Sequence, residues 1–302
     1  MQAQAITDRI AGAPISWGIC EVPGWGRQLS PSRVLGEMAS LGINATELGA
    51  VGYLPTDPDA LSDLLGEFGL RLVAGFVPVV LHDPDARALS LQHAEVAART
   101  LAAAGADVFV STVVMDEAWT PPVTLDRHHW RELLAGLDEV DRLAADHGLV
   151  QALHPHVGTL VERADDVQRV LDHSEVGWCL DGGHLYIGGF DPVDFVHQAG
   201  GQIRHVHLKD VDDRVARTLH EGTLSLLEAT QQGLFVPLGE GDARVDMTIE
   251  ELERAGYDGW YVIEQDAALE GDEPPIGSGP IVDVRRSVAH LRKLLAGLMA
   301  TP

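Results

Sequence analysis

Basic residues are scarce in this chain. Lys and Arg number 21 against 46 Asp and Glu, a formal net charge of −25 over 302 residues. A surface of that sign repels nucleic-acid phosphates and anionic headgroups, which argues against nucleic acid or a membrane as partner. The local basic hints, Arg254 and Arg285–Arg286, fall on stretches read as outer helices. Cysteine is nearly absent. Cys20 and Cys179 stand far apart, without the spacing of a disulfide framework or a metal knuckle, so a reducing cytoplasm is the default. Long apolar runs are missing too, so no membrane span is expected, and the N-terminal stretch 1–18 lacks the basic-then-apolar pattern of a signal peptide. Low-complexity tracts and linkers are absent, and residues 1–302 read as a single domain. Aromatics make up only 5% of residues, but apolar residues reach 45%, ample for a core. No Gly-x-Gly-x-x-Gly follows the first predicted strand, which counts against a doubly wound nucleotide-binding sheet. No glycine-rich phosphate cradle or Ser/His/Asp arrangement stands out, so the expected substrate is unphosphorylated.

What is present is an alternation. Short, nearly continuous apolar runs read as buried strands at 11–18, 44–48, 71–77, 107–113, 149–154, 175–180, 203–208 and 260–264. Helical stretches lie between them. Ser30-Pro31 reads as an N-cap and first helical residue, with Gly42 as the stop; further helices are expected at 57–68, 91–104 with Ser90 as cap, 128–147, 165–173, 191–200, 247–255 and 281–298. Residues 210–243 read as a long loop. Eight β-then-α units in a chain of this length predict a (β/α)₈ TIM barrel.

Barrel enzymes carry their chemistry at the C-terminal ends of the strands. Here those ends are rich in potential ligands and acid/base groups: Glu47, His154 and His156, Asp181 and His184, His205, His207, Lys209 and Asp210, and Glu264. A single histidine is more often structural than functional, but four successive strands ending this way are hard to assign to chance. In Asp181-Gly-Gly-His184 the glycines let backbone approach the point that the aspartate and histidine face. Residues two apart share a strand face, so His205 and His207 point the same way. His207 is nearer the mouth and is preferred as a ligand, with His205 left to support or packing. His156 falls at the edge of a loop, where it reaches toward substrate.

The segments LHPHVGT (153–159), DGGHLYIGG (181–189), HVHLKD (205–210), GEGDARVD (239–246) and VIE (262–264) resemble the xylose-isomerase-like barrel superfamily, which also includes endonuclease IV-like proteins. Ala13-Pro14-Ile15 with Trp17, TELG (46–49) and the HPH-GT pattern are most similar to the inosose dehydratase branch. The resemblance covers almost the whole chain. It implies one divalent ion held by His154, Asp181, His207 and Glu264, with Mn²⁺ or Co²⁺ favoured and Zn²⁺, Fe²⁺ or Mg²⁺ as alternatives. Many epimerases and isomerases of the superfamily have glutamate where His154 stands. Losing that carboxylate weakens a two-carboxylate epimerisation and favours an elimination, which needs one base and one acid.

The resemblance therefore implies a lyase that removes water from a cyclic polyol ketone such as inosose. An isomerase or epimerase, a lyase acting on 3-keto-glycosides and a non-enzymatic sugar-binding barrel are the alternatives. A DNA-directed role is opposed by the charge. In this reading Glu264 is ligand and base, provided one of its oxygens stays free. His156 and His184, with unperturbed pKa values of about 6.5, serve as acids. Lys209 donates to a substrate oxygen or pairs with a local acid, Trp17 forms a wall under the ring or packs in the core, Glu47 binds a hydroxyl or acts as acid or base, and Glu240, in a glycine-rich loop, closes over the site or caps a turn. The partner is a small keto-sugar or polyol, and a homo-oligomer is left open.

Overall fold

The computed structural model describes residues 8–300, so residues 1–7 of the N-terminal stretch read above lie outside it. Eight parallel strands close into a barrel: β1 (Ile10–Gly12), β2 (Ala45–Glu47), β3 (Arg71–Val79), β4 (Val108–Val113), β5 (Val150–Leu153), β6 (Trp178–Asp181), β7 (Ile203–Leu208) and, after a small ribbon of β8 (Asp210–Val211) and β9 (Phe235–Val236), β10 (Tyr261–Ile263). Strand β10 pairs with both β7 and β1 and so completes the ring. The strands are short and apolar because both faces are covered: helices pack outside and small side chains fill the inside.

The intervening helices are α1 (Pro31–Ser40), α2 (Pro58–Glu67), α3 (Pro84–Ala103), α4 (Arg127–Asp146), α5 (Ala164–His173), α6 (Gly182–Ile187), α7 (Pro192–Ala199), α8 (Asp213–His220), α9 (Leu226–Gln231), α10 (Val245–Arg254) and α11 (Pro280–Ala300). Part of the acidic excess is spent on caps. Asp57 accepts from Ala60 N at 3.0 Å, and Asp126 accepts from His128 N at 2.8 Å and His129 N at 2.9 Å. None of the described helices is long and apolar enough to cross a membrane.

Alternation along the strands sets the stage for chemistry. Ala45, Ala152, Cys179 and Val262 belong to one buried cluster of mostly small side chains. Each lies two residues before Glu47, His154, Asp181 or Glu264, and so shares its face. The small layer is the floor, and the polar residues stand on it one step nearer the mouth. Register aligns them, because Asp181 pairs with His207 across β6 and β7, and Glu264 N donates to Leu208 O at 3.0 Å.

Three local expectations are corrected. Helix α3 begins at Pro84 rather than Leu91, with Asp83 as its cap, accepting from Asp85 N at 3.0 Å. Ser90 is no cap; it lies buried and its Oγ accepts from Val80 N at 2.8 Å. The first strand stops at Gly12 and the chain turns through a 3₁₀ segment at Pro14–Trp17, since Pro14 has no N–H to extend a ladder. Residues 210–243 are not a plain loop but hold the β8–β9 ribbon with α8 and α9. Asp210 anchors the region's end, accepting from Gly239 N at 2.9 Å, Gly241 N at 3.0 Å and Ala243 N at 3.1 Å.

Candidate active site

Asp181 has two tasks that its two oxygens divide. Oδ1 accepts from His184 N at 2.8 Å and caps α6. That bond aims Oδ2 at the barrel axis, 3.4 Å from His154 Nε2 and 3.8 Å from His207 Nδ1. His207 Nδ1 also lies 2.7 Å from Glu264 Oε2, close but outside hydrogen-bond alignment. The rings of His154 and His207 meet edge to face at 4.8 Å. Asp181, His207 and Glu264 each offer a ligand atom, mutually within 4.8 Å, and so do His154, Asp181 and His184.

These atoms fit a divalent ion. Both ring nitrogens of His154, Asp181 Oδ2 and His207 Nδ1 are buried without a hydrogen-bond partner. Leaving such atoms without a hydrogen bond costs about 1–3 kcal/mol each; here His154 Nε2 and His207 Nδ1 gather about Asp181 Oδ2, which Lys209 Nζ also approaches at 3.3 Å. Imidazoles with carboxylates suit a hard-to-borderline ion. The negative field that would hold one already acts on His207. Burial pushes that imidazole down, but the carboxylates of Glu264 and Glu47 outweigh it and hold it well above its ordinary value.

Glu47 lines the cavity, and one of its oxygens is taken up by two imidazoles. Its Oε1 accepts from His205 Nε2 at 2.6 Å and from His207 Nε2 at 2.8 Å. Burial pushes this carboxyl up, but His207 and His205 prevail and bring it to about 2, so it is ionised. A carboxylate on Nε2 turns the other nitrogen of His207 toward the ligand cluster, the usual outer support of a metal-binding imidazole. His205 takes its expected supporting place. Glu47→Gln is expected to weaken metal binding about 10–100-fold, measured by competition with a chromogenic chelator; unchanged affinity would remove Glu47 from this role.

Lys209 is the cation at the centre. Basic residues elsewhere in the chain are arginine, apart from Lys293. Its Nζ is fully buried, 2.8 Å from Glu264 Oε1, 2.9 Å from Asp266 Oδ1 and 3.3 Å from Asp181 Oδ2. Burial disfavours the ammonium, but Asp181, Asp266 and Glu264 hold it well above its ordinary range. The ammonium also donates to His184 Nε2 at 2.9 Å. The stem of Lys209 passes so close to the DGGH turn that a Cβ on Gly183 would lie 2.6 Å from its Cγ, which is why that position is glycine.

The two histidines expected as acids are placed beside each other, with ring centroids 3.8 Å apart. Neither is the imidazolium that the sequence reading assumed. Burial, with His154 and Lys209 nearby, pulls His156 down to about 3; burial and His156 hold His184 well below its ordinary value. His156 Nδ1 donates to Val157 O at 2.7 Å, leaving Nε2 as an acceptor. Glu264 meets a similar obstacle as a base. One oxygen accepts from Lys209 and the other faces His207, and these cations overcome burial to hold its carboxyl well below the usual range.

Above the cluster opens a cavity of about 510 Å³, reached by Glu47, His156, His207, Glu264 and Asp266. Sequence reasoning missed Asp266. Burial raises its carboxyl to about 6 even beside Lys209. The available signal was the Glu264-x-Asp266 spacing, which puts two carboxylates on one face. It also missed the aromatic walls, Trp25, Phe76 and Trp119. Trp17, expected as a wall, is instead fully buried in the core, where its Nε1 donates to Glu37 Oε2 at 2.8 Å. Glu240 does not close over the site. It is exposed and pairs with Arg286 on α11.

Comparison with known proteins identifies relatives over nearly the whole chain. The chain is 28% identical to an inosose dehydratase of Geobacillus kaustophilus, over 97% of this chain and 96% of that protein. It is 31% identical to the rhizopine catabolism protein MocC of Rhizobium meliloti, over 95% and 89%. Among solved structures, the IolI protein with a bound zinc atom superposes with a TM-score of 0.72 at 14% identity, over 97% of this chain and 100% of that one, a likeness of fold. Residues 35–294 match the family described as the xylose isomerase-like TIM barrel, and the chain belongs to that family.

Proposed function

We propose that this protein is a divalent-metal-dependent dehydratase acting on a cyclic keto-polyol of the inosose class. The observation that carries the reading is the clustering of ligand atoms from His154, Asp181 and His207, with Glu264 beside them, next to a cavity that His207 and Glu264 line together with Asp266, a carboxylate outside the ligand set. The relatives named inosose dehydratase support the same class.

In this reading His154, Asp181, His207 and Glu264 hold the ion, and Glu47 orients His207. Bound there, a divalent ion supplies Lewis acidity toward a ketone oxygen. The chain's own residues manage the proton. Both oxygens of Glu264 are engaged, so proton removal passes to Asp266, which reaches the cavity with Lys209 behind it. Asp266 takes the proton α to the ketone. The C–H electron pair becomes the new carbon–carbon double bond, and the β C–O bond breaks with its pair on oxygen. Asp266, now neutral, returns the proton to that oxygen and water leaves. Lys209 keeps Asp266 ionised between turnovers, and the neutral His156 accepts a substrate hydroxyl.

The test is direct. Purified protein, Mn²⁺ or Co²⁺ and inosose are expected to give a dione absorbance and a product lighter by one water. Asp266→Asn should keep its metal and lose turnover by about 10²–10⁴-fold. Interconversion of ketoses with no loss of water would overturn the dehydratase reading. Near-normal turnover by Asp266→Asn would overturn only the proton assignment.

A further inference from the structure

A second cluster of imidazoles and carboxylates lies away from the barrel axis. His82 stands in the corner between β3 and α3 and is only 4% exposed. Its Nδ1 is buried and has no hydrogen-bond partner. The reaction proposed above makes no use of it. Burial pushes this imidazole below its ordinary value, and a neutral ring can present such a nitrogen as the lone pair that a metal binds. The charged and titratable groups acting on His82 are Asp83, His129 and Asp116, none of them from the barrel cluster.

Two neighbouring elements supply the other candidate ligands. His129, in the first turn of α4, sets its ring centroid 6.2 Å from that of His82. Its Nδ1 donates to Asp126 Oδ1 at 2.8 Å, which leaves Nε2 with the lone pair. A carboxylate behind an imidazole is the usual outer support of a metal ligand, and Glu47 stands to His207 in the same way. Asp116 sits in the turn after β4, where its Oδ1 accepts from Ala118 N and Thr120 N, both at 3.0 Å. An ion ~2.1 Å from one nitrogen of each ring lies roughly 3.2 Å from each centroid, so tetrahedral sharing asks for centroids roughly 5 Å apart. The observed 6.2 Å is wider by about 1 Å. Burial fixes His82, but the His129 side chain is 45% exposed and has room to close that gap.

We infer that His82, His129 and Asp116 form a second divalent-metal site, for a borderline ion such as Zn²⁺, Ni²⁺ or Cu²⁺. Two imidazoles with one carboxylate favour such ions over Mg²⁺ and Ca²⁺, which prefer oxygen throughout. The bound ion ties the β3–α3 corner, the turn after β4 and the start of α4 together. That turn bears on the cavity because it carries Trp119. Trp119 adopts a left-handed backbone, φ 56°, and stacks on Phe76 with centroids 6.2 Å apart and planes 14° from parallel, and both rings line the cavity. The second ion therefore clamps a wall of the cavity from outside. The inference stands whatever reaction the barrel cluster carries out.

The experiment counts ions rather than turnover. The full chain, stripped of metal, is titrated with Zn²⁺ by calorimetry, and bound zinc is then measured by elemental analysis after dialysis. Two ions per chain are expected. His82→Gln and, separately, His129→Ala should each leave one, with circular dichroism reporting that the variants are folded. His129 is exposed, so its variant keeps the test open if His82→Gln does not fold. Asp181→Asn should also leave one ion, and Asp181→Asn combined with His129→Ala should leave none. Asp126→Asn is expected to weaken the second ion about 10–100-fold. A zinc count unchanged in either folded histidine variant overturns the site. Zinc released by His129→Ala but kept by His82→Gln is an adventitious ion only, held by the exposed pair His128 and His129. A wild type that binds one ion, lost in His82→Gln and kept in Asp181→Asn, supports the site and places the failure in the barrel cluster.

Discussion

Asp181→Ala is expected to lose bound metal and turnover together. Asp181 is the residue on which the cluster closes: Oδ2 faces His154, His207 and Lys209, while Oδ1 holds the first turn of α6 through His184 N. Removing a group that merely supports a ligand costs about 10–100-fold in metal affinity, and removing a ligand from a four-residue set should cost more. Activity falls with the ion. Alanine also uncaps α6, at about 0.5–2 kcal/mol, so Asp181→Asn is the companion variant. It keeps an oxygen for His184 N and removes only the charge. Elemental analysis of both proteins after dialysis against buffered Mn²⁺ or Zn²⁺, beside inosose turnover, checks the expectation. Stoichiometric metal retained by both variants would remove Asp181 from the ligand set.

The second large effect is on stability. Lys209→Met keeps the stem's bulk beside Gly183 but leaves Asp181, Glu264 and Asp266 facing one another without the ammonium. Stripping the partner from a buried charge typically destabilises by about 3–5 kcal/mol. Urea unfolding in the presence of chelator should show that loss as a lowered midpoint. A divalent ion supplies positive charge at the same carboxylates and binds only the folded chain, so saturating Mn²⁺ or Zn²⁺ should recover part of it. An unchanged midpoint in chelator would mean that the lysine's desolvation cancels its attraction to the three acids.

The architecture was legible because its signals are local. Apolar runs of strand length alternate with stretches closed by Asp or Ser in front and Gly behind, and each such signal depends on neighbours within a turn or two. Where a local signal was misread, another local one was present: Asp83-Pro84 starts α3 seven residues before the serine that resembled its cap. The strand-end residues were legible for a related reason. A parallel barrel brings all C-terminal strand ends to one rim, so Asp181, His207 and Glu264 could be expected to meet before their distances were known.

Roles within the rim were not legible, because they depend on which side chain arrives between which others. Glu47 became the support of His207 only when β2 and β7, 160 residues apart, were set across the barrel from one another. His156 and His184 lost their expected proton when they came together beside Lys209, since desolvation and neighbouring cations act through space. Trp17 went to the core because α1 brought Glu37 to its indole N–H, while Trp119 reached the mouth on a turn held by Asp116. The sequence by itself determined the barrel and the chemical inventory of its rim, through the period of its strands and the caps of its helices. The tertiary structure alone decided ligand from support, charged from neutral and wall from core, because burial and Coulomb interactions are set by distance in space rather than by separation along the chain.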